Sequence, residues 1–318
     1  MTLVDSGIST VQVTSSEHAQ LTTRAAALST GVAVFLIILK AWAWIASSSV
    51  AMLASLADST LDFVASLITY YAVRYAAAPP DNEHRFGHGK AEAFAGLMQS
   101  GLVALSGVLI AVEAIPRLFT VTPVAQGMAS LAVMVVSIVL TAALISAQTR
   151  AIRRTGSVAT RADRLHYVGD LSANLIVMVG IGAAAWFGWT WADAVAALVV
   201  ALWLGWGALH VAREAADHLL DRELPDESRA RIRALAESDP ELGRVHDLRT
   251  RTSGPYVHIQ FHVELTPTLT LEAAHRIVVA AEERIRAEFP TADIIIHPDP
   301  RGRAEPHGHE DFERRRGH

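Results

Sequence analysis

The sequence predicts an all-α, six-helix membrane bundle followed by a small soluble α+β domain. Nearly all long apolar runs precede Arg213, and 51% of all residues are hydrophobic. From Arg213 onward the sequence is polar, charged and interrupted by proline. This division is typical of a membrane half joined to a soluble half, and 318 residues suffice for both.

These features divide the chain into four predicted segments. Residues 1–20 form a polar lead without a signal-peptide pattern and are expected to be disordered. The membrane bundle takes residues 21–212, and the soluble domain takes residues 213–300. The charged, histidine-containing tail, residues 301–318, has no apolar period and is also expected to be disordered.

Six apolar stretches of about 20 residues each predict the membrane spans. They run approximately over Ala25–Ala46, Val50–Tyr75, Ala93–Ala114, Met128–Gln148, Tyr167–Phe187 and Ala192–Val211. Basic residues flank the second and fourth connections, for example Arg85 and Arg153, whereas the other connections have almost none. The positive-inside rule therefore predicts that both termini are cytoplasmic.

The soluble segment shows helix and strand patterns in the order αββαβ. Helical periods follow Pro225 and cover Leu271–Phe289, whereas strand-like runs cover Val245–Arg251, Tyr256–Leu265 and Ala292–His297. This order predicts a small α+β domain with both helices packed on one face of the sheet.

Composition excludes several kinds of site. The chain has no cysteine, so disulfides and thiolate metal sites are excluded, and any metal must bind nitrogen and oxygen ligands. No segment combines clustered basic residues with interleaved aromatic residues, so a nucleic-acid partner is not expected.

Two pairs of ionisable residues lie in the predicted spans. Asp58 and Asp62 belong to the second span, and His166 and Asp170 begin the fifth. The i, i+4 spacing places each pair on one helix face, so two facing helices would bring three carboxylates and an imidazole together. Such a set suits a tetrahedral divalent cation. The alternative is that Asp58 and Asp170 are hydrated near the membrane interfaces.

Asp81, His84 and His88 lie close together in the loop after the second span. The two histidines flank a short turn, and the aspartate supplies a third ligand, so the loop could close over a metal ion. The alternative is that these side chains are simply solvated.

The soluble domain contains a third candidate set, which comprises His246, His262, His275, His297 and Asp299. Strand alternation puts His258 and His262 on the polar face of the second strand, opposite Phe261 and Val263. Neighbouring strands could bring His246 and His297 to His262. The alternative is a polar sheet face that is rich in histidine by accident.

Three segments resemble the signature segments of the cation diffusion facilitator family, especially its bacterial zinc and ferrous-iron efflux branch. They are Ala57–Asp62, Asp81–Glu92 and Arg161–Asp170. The resemblance extends from about Ala25 to Asp299 and includes His246–Arg251. It implies a proton-coupled antiporter that exports a divalent metal, as a homodimer in the lipid bilayer of the inner membrane.

The same resemblance implies a metallochaperone-like cytoplasmic domain and assigns a role to each cluster. It assigns the transport site to Asp58, Asp62, His166 and Asp170. It assigns a loop site to Asp81, His84 and His88, and a binuclear cytoplasmic site at the dimer interface to His246, His262, His275, His297 and Asp299. It further implies an ionic lock between Lys90 and Asp221 and a hydrophobic gate at Leu165.

The predicted ligand sets suit zinc first, and cadmium or ferrous iron next, because they combine imidazole and carboxylates without thiolate. The chain is not expected to be an enzyme, since a catalytic zinc site would need an open coordination position and a general base, and no HExxH pattern is present. The alternative function is a membrane-anchored metal sensor without transport.

Overall fold

A computed structural model describes residues 14–47, 50–119, 128–187 and 192–303. The chain divides into two compact units, Met1–Leu220 and Asp221–His318. The boundary predicted after residue 212 is therefore too early, because the sixth helix continues with polar residues beyond its apolar run. Most of the predicted lead, residues 1–13, and most of the predicted tail, residues 304–318, lie outside the described residues.

Within the described residues the first unit consists of six long helices. They are α1 Ser15–Ser47, α2 Val50–Ala76, α3 Lys90–Arg117, α4 Met128–Thr155, α5 Val158–Phe187 and α6 Ala192–Leu219. Each predicted span lies inside one of these helices, which confirms the six-helix bundle. Four of them, α1, α3, α4 and α6, are long and apolar enough by themselves to cross a membrane, among the residues described.

The N-terminal end of α1 differs from the prediction. The helix begins at Ser15, so the prediction that residues 1–20 are disordered is wrong for residues 15–20. Thr14 Oγ1 accepts a hydrogen bond from the Glu17 backbone N–H at 3.3 Å, which is the cap of a T-x-x-E sequence. Local capping extends this helix beyond its apolar run, and composition alone does not reveal that.

Small residues allow the helices to approach closely. A Cβ atom on Gly96 of α3 would lie 2.9 Å from Val158 Cγ1 of α5. A Cβ atom on Gly107 of α3 would lie 3.1 Å from the Ala201 carbonyl oxygen of α6. The absence of a side chain at both positions therefore lets α3 pack against α5 and α6.

The second unit has the predicted αββαβ order in its described part. Its elements are α7 Asp226–Ala236, β1 Val245–Ser253, β2 Tyr256–Leu265, α8 Leu271–Glu288 and β3 Ala292–Pro300. The strands pair in the order β1-β2-β3, with β1 antiparallel and β3 parallel to β2. The parallel pairing follows from the crossover through α8. The helices cover the apolar face, where Ile232, Ile259, Phe261 and Ile285 are buried.

A β-bulge in β1 sets the orientation of its side chains. The register shifts between His246, which pairs with His262, and Arg249, which pairs with Gln260. Asp247 is within the bulge and has a φ of 48°. The additional residue keeps His246 on the polar face while Leu248 remains in the core.

Replacing Phe261 by alanine is expected to destabilise the second unit by about 3–5 kcal/mol, because the ring is buried in its core. Amide hydrogen exchange of the full chain should then show faster exchange throughout β1, β2 and β3. Gln260→Ala, at the exposed neighbouring position, is the control. Equal protection in the two variants would contradict this packing.

Candidate metal sites

A histidine and two aspartates from two helices meet in the first unit. His166 Nε2 of α5 lies 2.9 Å from Asp62 Oδ1 of α2 and 3.8 Å from Asp170 Oδ2. His166 is buried, and both aspartates are half-buried. Donor atoms around a tetrahedral zinc ion are about 3.4 Å apart, so one ion could contact all three residues.

Asp58 is the fourth residue predicted for this site. It lies one turn before Asp62 on α2, and its side chain is exposed. Among the described residues, the group whose ligand atoms lie within 4.8 Å of one another contains Asp62, His166 and Asp170 without Asp58. The role of Asp58 as a ligand stays a prediction.

A lysine lies close to this cluster. Lys40 Nζ, in α1, donates hydrogen bonds to Ser59 Oγ at 2.6 Å and to the Ser55 carbonyl oxygen at 3.2 Å. Both serines belong to α2, the helix that carries Asp62. Lys40 is not among the site residues predicted from the sequence, although a single charge within an apolar run of about 20 residues is a signal of function.

A buried hydrogen-bond network lies beside the cluster. Asp163 of α5 accepts a hydrogen bond from Gln148 Nε2 of α4 at 2.8 Å and another from Ser66 Oγ of α2 at 3.5 Å. The Tyr167 hydroxyl is 2.8 Å from Ser66 Oγ and donates to the Ser29 carbonyl oxygen of α1 at 3.2 Å. The network therefore joins four helices around the start of α5.

Leu165, the predicted gate residue, is half-buried between α5 and α6. A Cβ atom on Gly207 of α6 would lie 3.1 Å from the Leu165 methyl carbons, and Leu165 packs against the buried cluster that includes Val211. These contacts are those of a helix-packing residue, and the gating role stays a prediction.

The predicted loop residues form a second cluster. Asp81 accepts hydrogen bonds from the backbone N–H groups of His84 at 2.6 Å and Glu83 at 2.9 Å. These donors lower the pKa of Asp81 below its ordinary value and keep the carboxylate ionised. His84 Nδ1 and His88 Nε2 lie 3.3 and 3.2 Å from the Asp81 oxygens. The buried His88 ring also packs against Tyr75, with centroids 4.4 Å apart.

The third cluster lies on the polar face of the sheet and is centred on Asp299. Asp299 Oδ2 lies 3.1 Å from both His246 Nε2 and His262 Nδ1, and Asp299 Oδ1 lies 3.3 Å from His297 Nε2. Asp299 is only 5% exposed. His275 is exposed on α8, which covers the opposite, apolar face of the sheet. The other four of the five predicted residues therefore come together, and His275 lies apart from them.

The two residues of the predicted ionic lock belong to different units. Lys90 Nζ donates to the Leu219 carbonyl oxygen at 3.2 Å within the first unit. The Asp221 carboxylate accepts from Arg251 Nη1 at 3.4 Å within the second. The lock between Lys90 and Asp221 stays a prediction.

Comparison with known protein families covers most of the chain with two adjacent matches. A family described as the cation efflux transmembrane domain matches residues 26–220. A second family, described as the cation efflux protein cytoplasmic domain, matches residues 224–301. The two matches meet close to the boundary between the two compact units.

Similar whole proteins include two bacterial cation-efflux pumps named FieF. The one from Shewanella oneidensis is 43% identical over 272 residues, covering 86% of this chain and 92% of the relative. The one from Citrobacter koseri is 41% identical over 283 residues, covering 89% and 94%. A solved structure described as the zinc form of the putative zinc transporter CzrB is 33% identical, with a TM-score of 0.26, and covers 27% of this chain and 99% of that chain.

Replacing Asp299 by asparagine is expected to weaken zinc binding at the Asp299 cluster by more than about tenfold, because this carboxylate contacts three histidines. Isothermal titration of the full-length protein measures the change. Asp293→Asn is the matched control, since Asp293 lies on the same strand but contacts His258. The prediction is contradicted if both variants bind zinc as the native protein does.

Replacing Asp163 by alanine is expected to lower thermal stability, because the Gln148 amide and the Ser66 hydroxyl lose a buried partner. Each lost partner costs about 1–3 kcal/mol. The melting temperature in detergent measures the effect, and Asp163→Asn, which keeps one acceptor oxygen, should lie between alanine and native. Three equal melting temperatures would show that the network does not stabilise the bundle.

Proposed function

The chain belongs to the cation efflux family, also called cation diffusion facilitators, and from this we propose that it exports zinc from the cytoplasm in exchange for protons. It is a multi-pass membrane transporter and not an enzyme. The zinc specificity, the exchange for protons, the homodimer and the location in the inner membrane with both termini cytoplasmic are parts of the proposal.

The contact of His166 with Asp62 and Asp170 is the observation that supports this function. A carboxylate near the bilayer centre costs at least about 2.5–3.5 kcal/mol, so the two aspartates need compensation, which a bound divalent cation would supply. One imidazole with carboxylates, in a chain without cysteine, suits zinc first and then cadmium or ferrous iron. Because the ligands come from α2 and α5, a relative movement of these helices would change the side of the membrane from which an ion can reach the site.

In the proposed cycle, the site first binds zinc from the cytoplasm. Coordination requires ionised carboxylates and a neutral imidazole, so binding releases protons. After the helices rearrange, protons from the other side displace the metal. His166 is the proposed proton carrier, because imidazole changes charge near neutral pH and its Nε2, 2.9 Å from Asp62 Oδ1, can donate to that carboxylate once protonated.

The clusters outside the bundle are proposed to regulate transport. Metal binding at the Asp299 cluster would draw the cytoplasmic domains of a homodimer together, with His275 and His297 available to the second ion of the binuclear site. The Lys90–Asp221 lock would hold the cytoplasmic ends of the helices, and Leu165 would close the pathway beside His166. Asp81, His84 and His88 would hold a further ion at the membrane surface.

A membrane-anchored sensor is the second candidate, because the loop and cytoplasmic clusters alone would suffice to detect metal. A sensor, however, needs no pair of carboxylates inside its anchor. Transport measurements separate the two functions directly.

Zinc flux into proteoliposomes under an imposed pH gradient is expected to follow the gradient in the native protein. Flux should fall to the level of protein-free liposomes in Asp62→Ala, because that variant loses the α2 ligand. Glu113→Gln, which removes an exposed acid near the end of α3, is the control for lost charge and should retain flux. Zinc binding without flux in the native protein would favour the sensor.

A further inference from the structure

Lys40 is the single charged residue of the apolar run Ala25–Ala46 in α1. Its half-buried side chain reaches α2, where Nζ is held by Ser59 Oγ at 2.6 Å and the Ser55 carbonyl oxygen at 3.2 Å. Since a carbonyl oxygen only accepts, the lysine must donate this second bond. The amine is therefore fixed in position on α2.

The position of this amine relates it to the proposed transport site. Ser55, Ser59 and Asp62 are spaced by four and three residues, so they share one face of α2. The carboxylates of Asp58, Asp62 and Asp170 attract a protonated Lys40 amine. Lys40 thus belongs to the electrostatic environment of the site although it is not a metal ligand.

The charges around the site are complementary to those of a divalent ion. If Asp58, Asp62 and Asp170 are all ionised and Lys40 is protonated, the four groups carry a net charge of minus two, which one divalent cation neutralises. Without the ammonium, the site with its divalent cation bound would keep one uncompensated negative charge. Charges held away from water are poorly screened, so a change of one unit has a large effect on cation affinity.

We propose that Lys40 is a resident counter-charge of the transport site, which weakens the binding of the divalent cation enough for the ion to leave. It also compensates part of the carboxylate charge once the site is empty. This role rests on the proposed function, since it assumes that Asp62, His166 and Asp170 hold the transported ion.

A purely structural role for Lys40 would have the opposite effect on binding. If the lysine only joined α1 to α2, its loss would loosen the site and weaken zinc binding. If it is a counter-charge, its loss removes a repulsive charge and strengthens zinc binding. The direction of the affinity change therefore separates the two roles.

Isothermal titration with zinc alone tests the proposal on the full-length protein, in a His88→Ala, His262→Ala background that weakens the other two clusters. Adding Asp62→Ala identifies the remaining binding event as the transport site. Lys40→Gln, which keeps a donor for Ser55, is expected to lower the zinc Kd about tenfold or more. Lys40→Arg, which keeps the charge, should stay within about threefold of the parent.

Lys40→Met is the second neutral variant and should also lower the Kd. In proteoliposomes both neutral variants should show a lower KM and slower maximal flux, because the ion leaves more slowly. An unchanged or raised Kd in both neutral variants would overturn the counter-charge role. The titration needs no pH gradient, so its result does not depend on metal/proton exchange. Zinc binding that survives Asp62→Ala would instead count against the proposed transport site.

Discussion

The placement of carboxylates inside an apolar bundle is the constraint on which the rest of the structure depends. Asp62 and Asp170 both face His166, whose Nε2 lies 2.9 and 3.8 Å from their carboxylates. This contact requires α2 and α5 to face each other, and the Asp163 network joins the same helices to α1 and α4 beside it. Helix packing and metal chemistry are therefore two consequences of one arrangement.

Much of this architecture could be predicted from residue periodicity. Apolar length predicted the six spans, and alternation in β2 placed His262 on the polar face opposite Phe261. Spacing alone could not distinguish residues that share a face: Asp62 joins the cluster and Asp58 does not. Likewise His258 is buried against Asp293, 3.3 Å away, whereas His262 reaches Asp299. Residues on neighbouring elements decide which of two side chains on the same face joins a cluster. A pattern within one helix or strand contains no information about those neighbours.

Three clusters reuse histidine and aspartate in different surroundings. The membrane cluster depends on two helices, the loop cluster on backbone donors to Asp81, and the sheet cluster on the bulge that turns His246 towards His262. Their common lack of thiolate follows from a chain without cysteine. Lys40 is not a ligand, but a fixed charge near a site affects how tightly that site binds an ion.

X-ray absorption spectroscopy of the zinc-loaded site proposed for transport, with the loop cluster and the Asp299 cluster disabled, tests the central claim most directly. The structure predicts one imidazole and oxygen donors at about 2.0–2.2 Å, with the imidazole signal lost in His166→Ala. Zinc bound by two or more imidazoles, or a spectrum unchanged by His166→Ala, would contradict the assignment of the transported ion to Asp62, His166 and Asp170.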